Sequence, residues 1–237
     1  MLCNLLGYDA NDRLEATLSA NDRIILDKIL EQKQQEIAPE IQPFKFFEIF
    51  TAEQILKDYD LSYDDIESGI VGDGGDGGVD SLYVFLNGEL VQDDTDTSTI
   101  RKNVSVDLVI IQAKTSVGFT ETSIDRLKAF TEDLLDLSKD TSSLKSVYNE
   151  DVLAIIQRFR TVYGAVASRF PVLTVSYRYA SKGDDVHPNV SRKSEGAKGG
   201  CSKTILFCEN RFSILGFQCT SRPCKESSAY HLLSQAE

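Results

Sequence analysis

Between Gly72 and Asp80 the chain reads GDGGDGGVD, and no other stretch restricts its folding as much. Clustered glycines supply turns at positive φ that other residues resist, so neither a helix nor a strand can run through them. The text after them is strand-like. From Val79 the residues VDSLYVFL alternate, Asn87-Gly88 is a strong hairpin signal, and Glu89 to Val91 reads as the returning strand. A polar, acidic loop from Asp93 to Lys102 leads to a long central strand, Val104 to Lys114, whose apolar text turns abruptly polar in its last residues, VIIQAK. Side chains two apart on a strand share a face, so Gln112 and Lys114 point the same way. Asp80 lies on the preceding strand, which brings its carboxylate to the same sheet edge. A carboxylate, an amide and an ammonium so placed read as a metal site with a cation beside it.

Other readings of the glycines fit less well. Gly72, Gly74 and Gly77 satisfy GxGxxG, but a dinucleotide loop follows a strand and opens a helix, whereas this one precedes a strand. A calcium loop needs acids or amides at alternate positions, and Gly75 stands where a ligand is required. A plain glycine turn remains as the competing reading.

The flanking text is helical. Ser19 to Glu36 places Ile25, Leu26, Ile29 and Leu30 on one side, with Ser19 and Asp22 spaced like a capping box and Pro39 beyond its end. A second helix, Phe44 to Leu56, turns Phe47, Phe50, Ile55 and Leu56 inward and carries two acids, Glu48 and Glu53. A short helix from Tyr63 to Ser68 leads into the glycine turn. Beyond the central strand, Thr122 to Ser138 is a helix with Ile124, Leu127, Leu134 and Leu137 on its apolar side. Glu150 to Ala167 is another, with Val152, Ile155, Ile156 and Phe159 inward, and Pro171 to Tyr179 is a last strand.

The run from Phe46 through GDGGVD, the hairpin and QAK, in this order, resembles the core of the Mrr-type restriction endonucleases, a branch of the PD-(D/E)xK nucleases in which Gln replaces the second acid. A longer match, "EQILKDYDLSYDDIESGIVGDGGDGGVDSLYVFLNGELVQDD", is similar to the N-terminal region of the abortive-infection phage-resistance (AIPR) family. The resemblance covers roughly Phe44 to Ser181. It implies an α/β restriction-endonuclease-like sandwich, a mixed sheet with a central hairpin flanked by helices. It also implies a metal-dependent nuclease in anti-phage defence, with Mg²⁺ or Mn²⁺ as cofactor and nucleic acid, DNA before RNA, as partner. Asp80 would be the principal metal ligand, Gln112 a neutral oxygen ligand and Lys114 the group that holds or activates the attacking water. Glu48 follows Phe47 where the Mrr-type pattern has its first-helix acid, and Glu53 is its local competitor. Asp76 reads as a turn residue before it reads as a ligand for a second ion. The competing functions are a catalytically silent nucleic-acid-sensing or interaction module and an inert fragment of a longer defence protein. Self-association into a homo-oligomer is left open.

Composition bounds these expectations. At 237 residues, 41% hydrophobic and 26% charged, the chain supports one substantial core. No uncharged apolar stretch reaches about 18 residues, and the first residues lack the basic start of a signal peptide, so a cytoplasmic location without a membrane is expected. The net charge of −12 counts against a broad basic face for phosphate backbones. Of five cysteines, Cys201, Cys208, Cys219 and Cys224 fall near the end without a CxxC pair, so free thiols are expected rather than zinc. The chain therefore divides into an N-terminal helical segment (1–43), a nuclease-like core (44–181) and an irregular tail (182–237). After about Lys193 the tail loses helical and alternating periodicity. Permitted codons for Ala197 to Asn210, read one base later, spell an amphipathic helix, so the tail is expected to be a frameshifted, truncated reading of a longer protein.

Overall fold

A computed structural model describes residues 10–115, 118–119, 121–182, 185–186, 201–207 and 213–221, with side chains described at 21, 23–115 and 125–182. The chain is mixed α/β. Three helices come first: α1 (Ala10–Ile37), α2 (Pro43–Ile55) and α3 (Tyr63–Glu67). The glycine turn then leads into β1 (Ser81–Leu86), β2 (Glu89–Leu90) and β3 (Ser105–Lys114). The two-residue β4 (Gly118–Phe119) precedes α4 (Glu121–Leu135), α5 (Thr141–Leu144) and α6 (Glu150–Val166), which return the chain to β5 (Val172–Ser181). The two-residue β6 (Asp185–Val186), which pairs with β4, is followed by β7 (Cys201–Phe207) and β8 (Ser213–Ser221).

Four strands in the order β2-β1-β3-β5 form a mixed sheet, which β8 and β7 extend. β1 runs antiparallel to β3, with Ser81 opposite Ile111, and β3 runs parallel to β5, with Gln112 opposite Tyr179. A parallel pair needs a long crossover, and α4 to α6 supply it. The hairpin, expected at the centre, instead forms one margin of the sheet, because β2 is only two residues long and pairs with β1 alone. Its turn does follow the Asn-Gly signal: Asn87 and Gly88 have φ of 54° and 90°.

Both faces of the sheet are covered. Leu82, Val84, Leu108 and Ile110 pack with Phe130 and Leu134 of α4 and with Val152, Ile156 and Phe159 of α6. On the other face Tyr83, Phe85, Val109 and Ile111 meet Ile49 and Ala52 of α2, Leu56 just past its end, and Ile66 of α3. Every residue of β1 is therefore buried, in keeping with the unbroken apolar run from Leu82 to Leu86. Tyr83 tolerates this because its hydroxyl donates to the Ile66 carbonyl at 2.6 Å.

Helix α1 starts well before the Ser19 and Asp22 pair, because the good helix formers Arg13 to Ala16 extend it backwards. Leu26 and Leu30 pack on Phe46, Phe47 and Phe50 of α2, while Ile25 stays exposed. In α4, Leu127 and Leu134 turn inward but Leu137, past its end, is exposed, and the Ile124 side chain lies outside the described residues. The tail expected to be irregular carries two strands instead. β8 pairs antiparallel with β5 from Ser181↔Ser213 to Leu173↔Ser221, and β7 pairs antiparallel with β8. The physical reason is main-chain pairing: the far side of β5 offers unpaired N–H and C=O groups, and the apolar text around 212–217 supplies a partner without a clean period.

Candidate active site

The site forms where β1 begins and β3 ends. Asp80, the residue before β1, donates its N–H to the Ile111 carbonyl at 2.9 Å, which continues the β1–β3 ladder one residue beyond the strand. That register sets the carboxylate. Its Oδ2 accepts the Ala113 N–H at 2.7 Å and lies 3.5 Å from the Lys114 ammonium. Asp80 is 4% exposed, Gln112 1%, and the Lys114 side chain 41%, so the acid and the amide are interior while the cation reaches solvent.

The fourth expected residue arrives from the other side of the sheet. Glu48 sits in the buried middle of α2, and the glycine turn brings it to Asp80. A Cβ placed on Gly72 would stand 3.1 Å from Glu48 Oε2 and 3.5 Å from Asp80 Oδ1, so the two carboxylates converge on a position only a hydrogen can occupy. Glu53, its competitor, is exposed on the same helix. Asp76 caps the glycine turn by accepting the Gly78 N–H at 2.7 Å, consistent with a turn role.

Electrostatics mark the pair. Burial pushes the Glu48 carboxyl up to about 8; Asp80 adds to the rise, and the Lys114 and Lys45 ammonium groups oppose it. Burial also raises Asp80, against the pull of Lys114 and of the Ala113 N–H. Burial thus disfavours the charged form of both acids, and a positive group arriving beside them would favour their ionisation. Glu48 Oε2 and Gln112 Oε1 moreover find no hydrogen-bond partner among the described residues. Buried oxygens without a partner are uncommon in folded proteins, and a water or a bound cation would satisfy them. The oxygens of Asp80, Glu48 and Gln112 fit a hard divalent cation, which takes one or two carboxylates and fills its other positions with water or phosphate oxygens. Among the described residues no group of three or more His, Cys, Asp or Glu side chains could hold a metal; the set here is two acids and an amide.

Two further residues border the site, neither of them marked by its sequence pattern as a site residue. The stem of Arg126, on α4, covers Gly78, where an added Cβ would stand 3.1 Å from Arg126 Cδ and 3.5 Å from Gln112 Nε2. Asn149 caps α6 through its side-chain oxygen and also reaches the glycine turn. An Asn followed by Glu150 and Asp151 is a legible helix start. Its contact with a turn 75 residues away is not.

No known protein family, curated protein or solved structure matches the chain. No helix among the described residues is long and apolar enough to cross a membrane.

Proposed function

We propose that this chain is a metal-dependent nucleic-acid phosphodiesterase with a restriction-endonuclease-like core of the Mrr type, acting in anti-phage defence like the AIPR family it resembles. One observation carries the reading: the Asp80 and Glu48 carboxylates converge at Gly72 with Lys114 beside Asp80, Gln112 follows Ile111 on the neighbouring strand, and Glu48 Oε2 and Gln112 Oε1 are both buried without a partner. Asp80, Glu48 and Gln112 would hold Mg²⁺ or Mn²⁺. Bound there, the cation would supply the positive charge that offsets negative charge building on the phosphoryl group.

The chain's own residues do the rest. Asp80 is held by the Ala113 N–H, so it presents its other oxygen, Oδ1, toward Gly72 and the shared space. Lys114, tethered to Asp80 yet partly open to solvent, would hold the attacking water and neutralise a phosphoryl oxygen. The water oxygen would attack phosphorus and give up a proton to solvent, while the bond to the leaving sugar oxygen breaks and that oxygen takes a proton from solvent to leave as a hydroxyl. Gly72 keeps the entrance free of side-chain bulk.

The test is cleavage of supercoiled and linear DNA, and of RNA, with Mg²⁺ or Mn²⁺. Metal-dependent cleavage that disappears in Asp80→Ala and Lys114→Ala supports the reading; cleavage undiminished in both rejects the site. A second reading, a silent nucleic-acid-sensing or interaction module, draws support from the net charge of −12, which repels phosphate backbones. Metal binding without turnover on any of these substrates favours it.

A further inference from the structure

We propose that Asn149 is a positioning residue for this site: it locks the glycine turn so that Asp80 and Glu48 face one another across Gly72. Its functional consequence rests on the metal-site reading, whereas the lock rests on geometry alone.

Asn149 ties two different elements together. Its Oδ1 accepts the Val152 N–H at 2.9 Å, which caps α6. Its Nδ2 donates to the Val71 carbonyl at 2.9 Å and to the Gly74 carbonyl at 3.0 Å, and its main-chain N–H donates to the Gly75 carbonyl at 2.7 Å. The amide orientation is forced, because carbonyls only accept and a main-chain N–H only donates. No other residue type supplies an acceptor to the helix and two donors to the turn from so short a side chain.

The turn transmits this anchor to the carboxylate. Val71 is bonded on one side to Asn149 and donates its own N–H to the Asp80 carbonyl at 3.0 Å. Asp80 in turn bonds Ile111 through its N–H and Ala113 through its side chain. Gly72, next to Val71, is the residue on which the Glu48 and Asp80 oxygens converge. The neighbouring Tyr148 seals the same junction: its ring meets Phe130 edge-on at 5.5 Å and blocks any side chain at Gly77, where a Cβ would lie 2.6 Å from Tyr148 Cε1. With Gly74, Gly75, Gly77 and Gly78 all at positive φ, the turn has conformational freedom that must be removed from outside.

The two roles of Asn149 separate by substitution. Asn149→Asp and Asn149→Ser keep an oxygen that caps α6; Asn149→Asp loses both donors to the turn, and Asn149→Ser, without adding charge, leaves at most one hydroxyl donor in place of the two. Three quantities are read on the full chain: thermal unfolding, amide exchange in 71–80, and affinity for Mn²⁺ alone. For both variants the unfolding midpoint should fall by only a few degrees, the scale of the lost hydrogen bonds, and α6 amides should stay protected. Exchange at Val71, Asp73 and Val79 should rise about ten- to hundred-fold, the scale of two lost hydrogen bonds, and Mn²⁺ affinity should fall about ten-fold or more. Asn149→Ala should add loss of the cap, seen as faster exchange at the start of α6. Unchanged exchange in the turn of both cap-keeping variants overturns the lock. Faster exchange with unchanged Mn²⁺ affinity overturns the positioning role. If the unaltered protein binds no Mn²⁺ while turn exchange still rises in the variants, the metal reading fails and the lock itself is upheld.

Discussion

At the scale of single residues, the site asks for charges that the fold makes expensive. Asp80→Ala and Lys114→Ala should each lower metal-dependent cleavage by about two to three orders of magnitude, since each removes a preorganised charge that no neighbour replaces. Circular dichroism should show the fold retained. Gln112→Glu should hold Mn²⁺ at least as tightly as the unaltered protein, because it turns an orphaned amide oxygen into a carboxylate; weaker binding, by calorimetry, would remove Gln112 from the ligand set. Glu48 gives a pH signature. An unfolded chain releases its proton near 4.5, while the folded protein keeps it to about 8. Between those values the unfolded state binds fewer protons, so metal-free stability should fall as pH rises through this window. Burial raises Asp80 in the same direction. Glu48→Gln should flatten the slope, and Mg²⁺ should bind more tightly toward pH 8, where the competing proton leaves. Denaturation midpoints at pH 5 and pH 8, with chelator and then with Mg²⁺, read both effects.

At the scale of elements, two glycines hold their places for different reasons. Gly88 closes the β1–β2 hairpin at positive φ with open space around its Cα. Gly88→Ala should therefore cost only about 1 kcal/mol of backbone strain. At Gly69 an added Cβ would stand 2.1 Å from Tyr83 Cε1. That ring is buried and its hydroxyl is tied to Ile66, so it cannot simply swing away. Gly69→Ala should destabilise by about 1–3 kcal/mol through overpacking, and urea denaturation of the two variants should rank Gly69→Ala as the more damaging. The helices differ as well: α6 buries one regular stripe, whereas α2 is buried from Phe46 through Ala52, because it lies between α1 and the sheet. Glu48 is buried for that reason, and a solvated helix glutamate would have none of its chemistry.

At the scale of the whole molecule, β8 closes the side of the sheet that β5 would otherwise leave open. A chain ended at Lys193 should expose the main chain of β5 as an edge. It should unfold at lower temperature and associate with increasing concentration, measured by scanning calorimetry and light scattering. A shortened chain as stable and as monodisperse as the full one would show that β8 contributes nothing to the sheet. The net charge of −12 belongs to this scale too, since it sets a long-range field that would repel a phosphate backbone.

Local text determined the elements. The glycine run, Asn87-Gly88, the polar end of VIIQAK and the inward stripe of Val152 to Phe159 each carry their meaning within a few residues, because turn conformation and side-chain period are local properties. Asp80, Gln112 and Lys114 were legible as one group for the same reason: strand alternation and the antiparallel register of β1 with β3 place them. Long-range packing set the rest. The apolar run from Leu82 to Leu86 suits a strand covered on both faces, but which helices cover it depends on packing from elsewhere in the chain. Glu48 rather than Glu53 meets Asp80 because of how α2 sits against the glycine turn, and both residues are equally good glutamates in sequence. The partnership of Asn149 with Val71 spans 78 residues. The pairing of β8 with β5 depends on an unpaired strand edge, a feature that exists only once the sheet has formed.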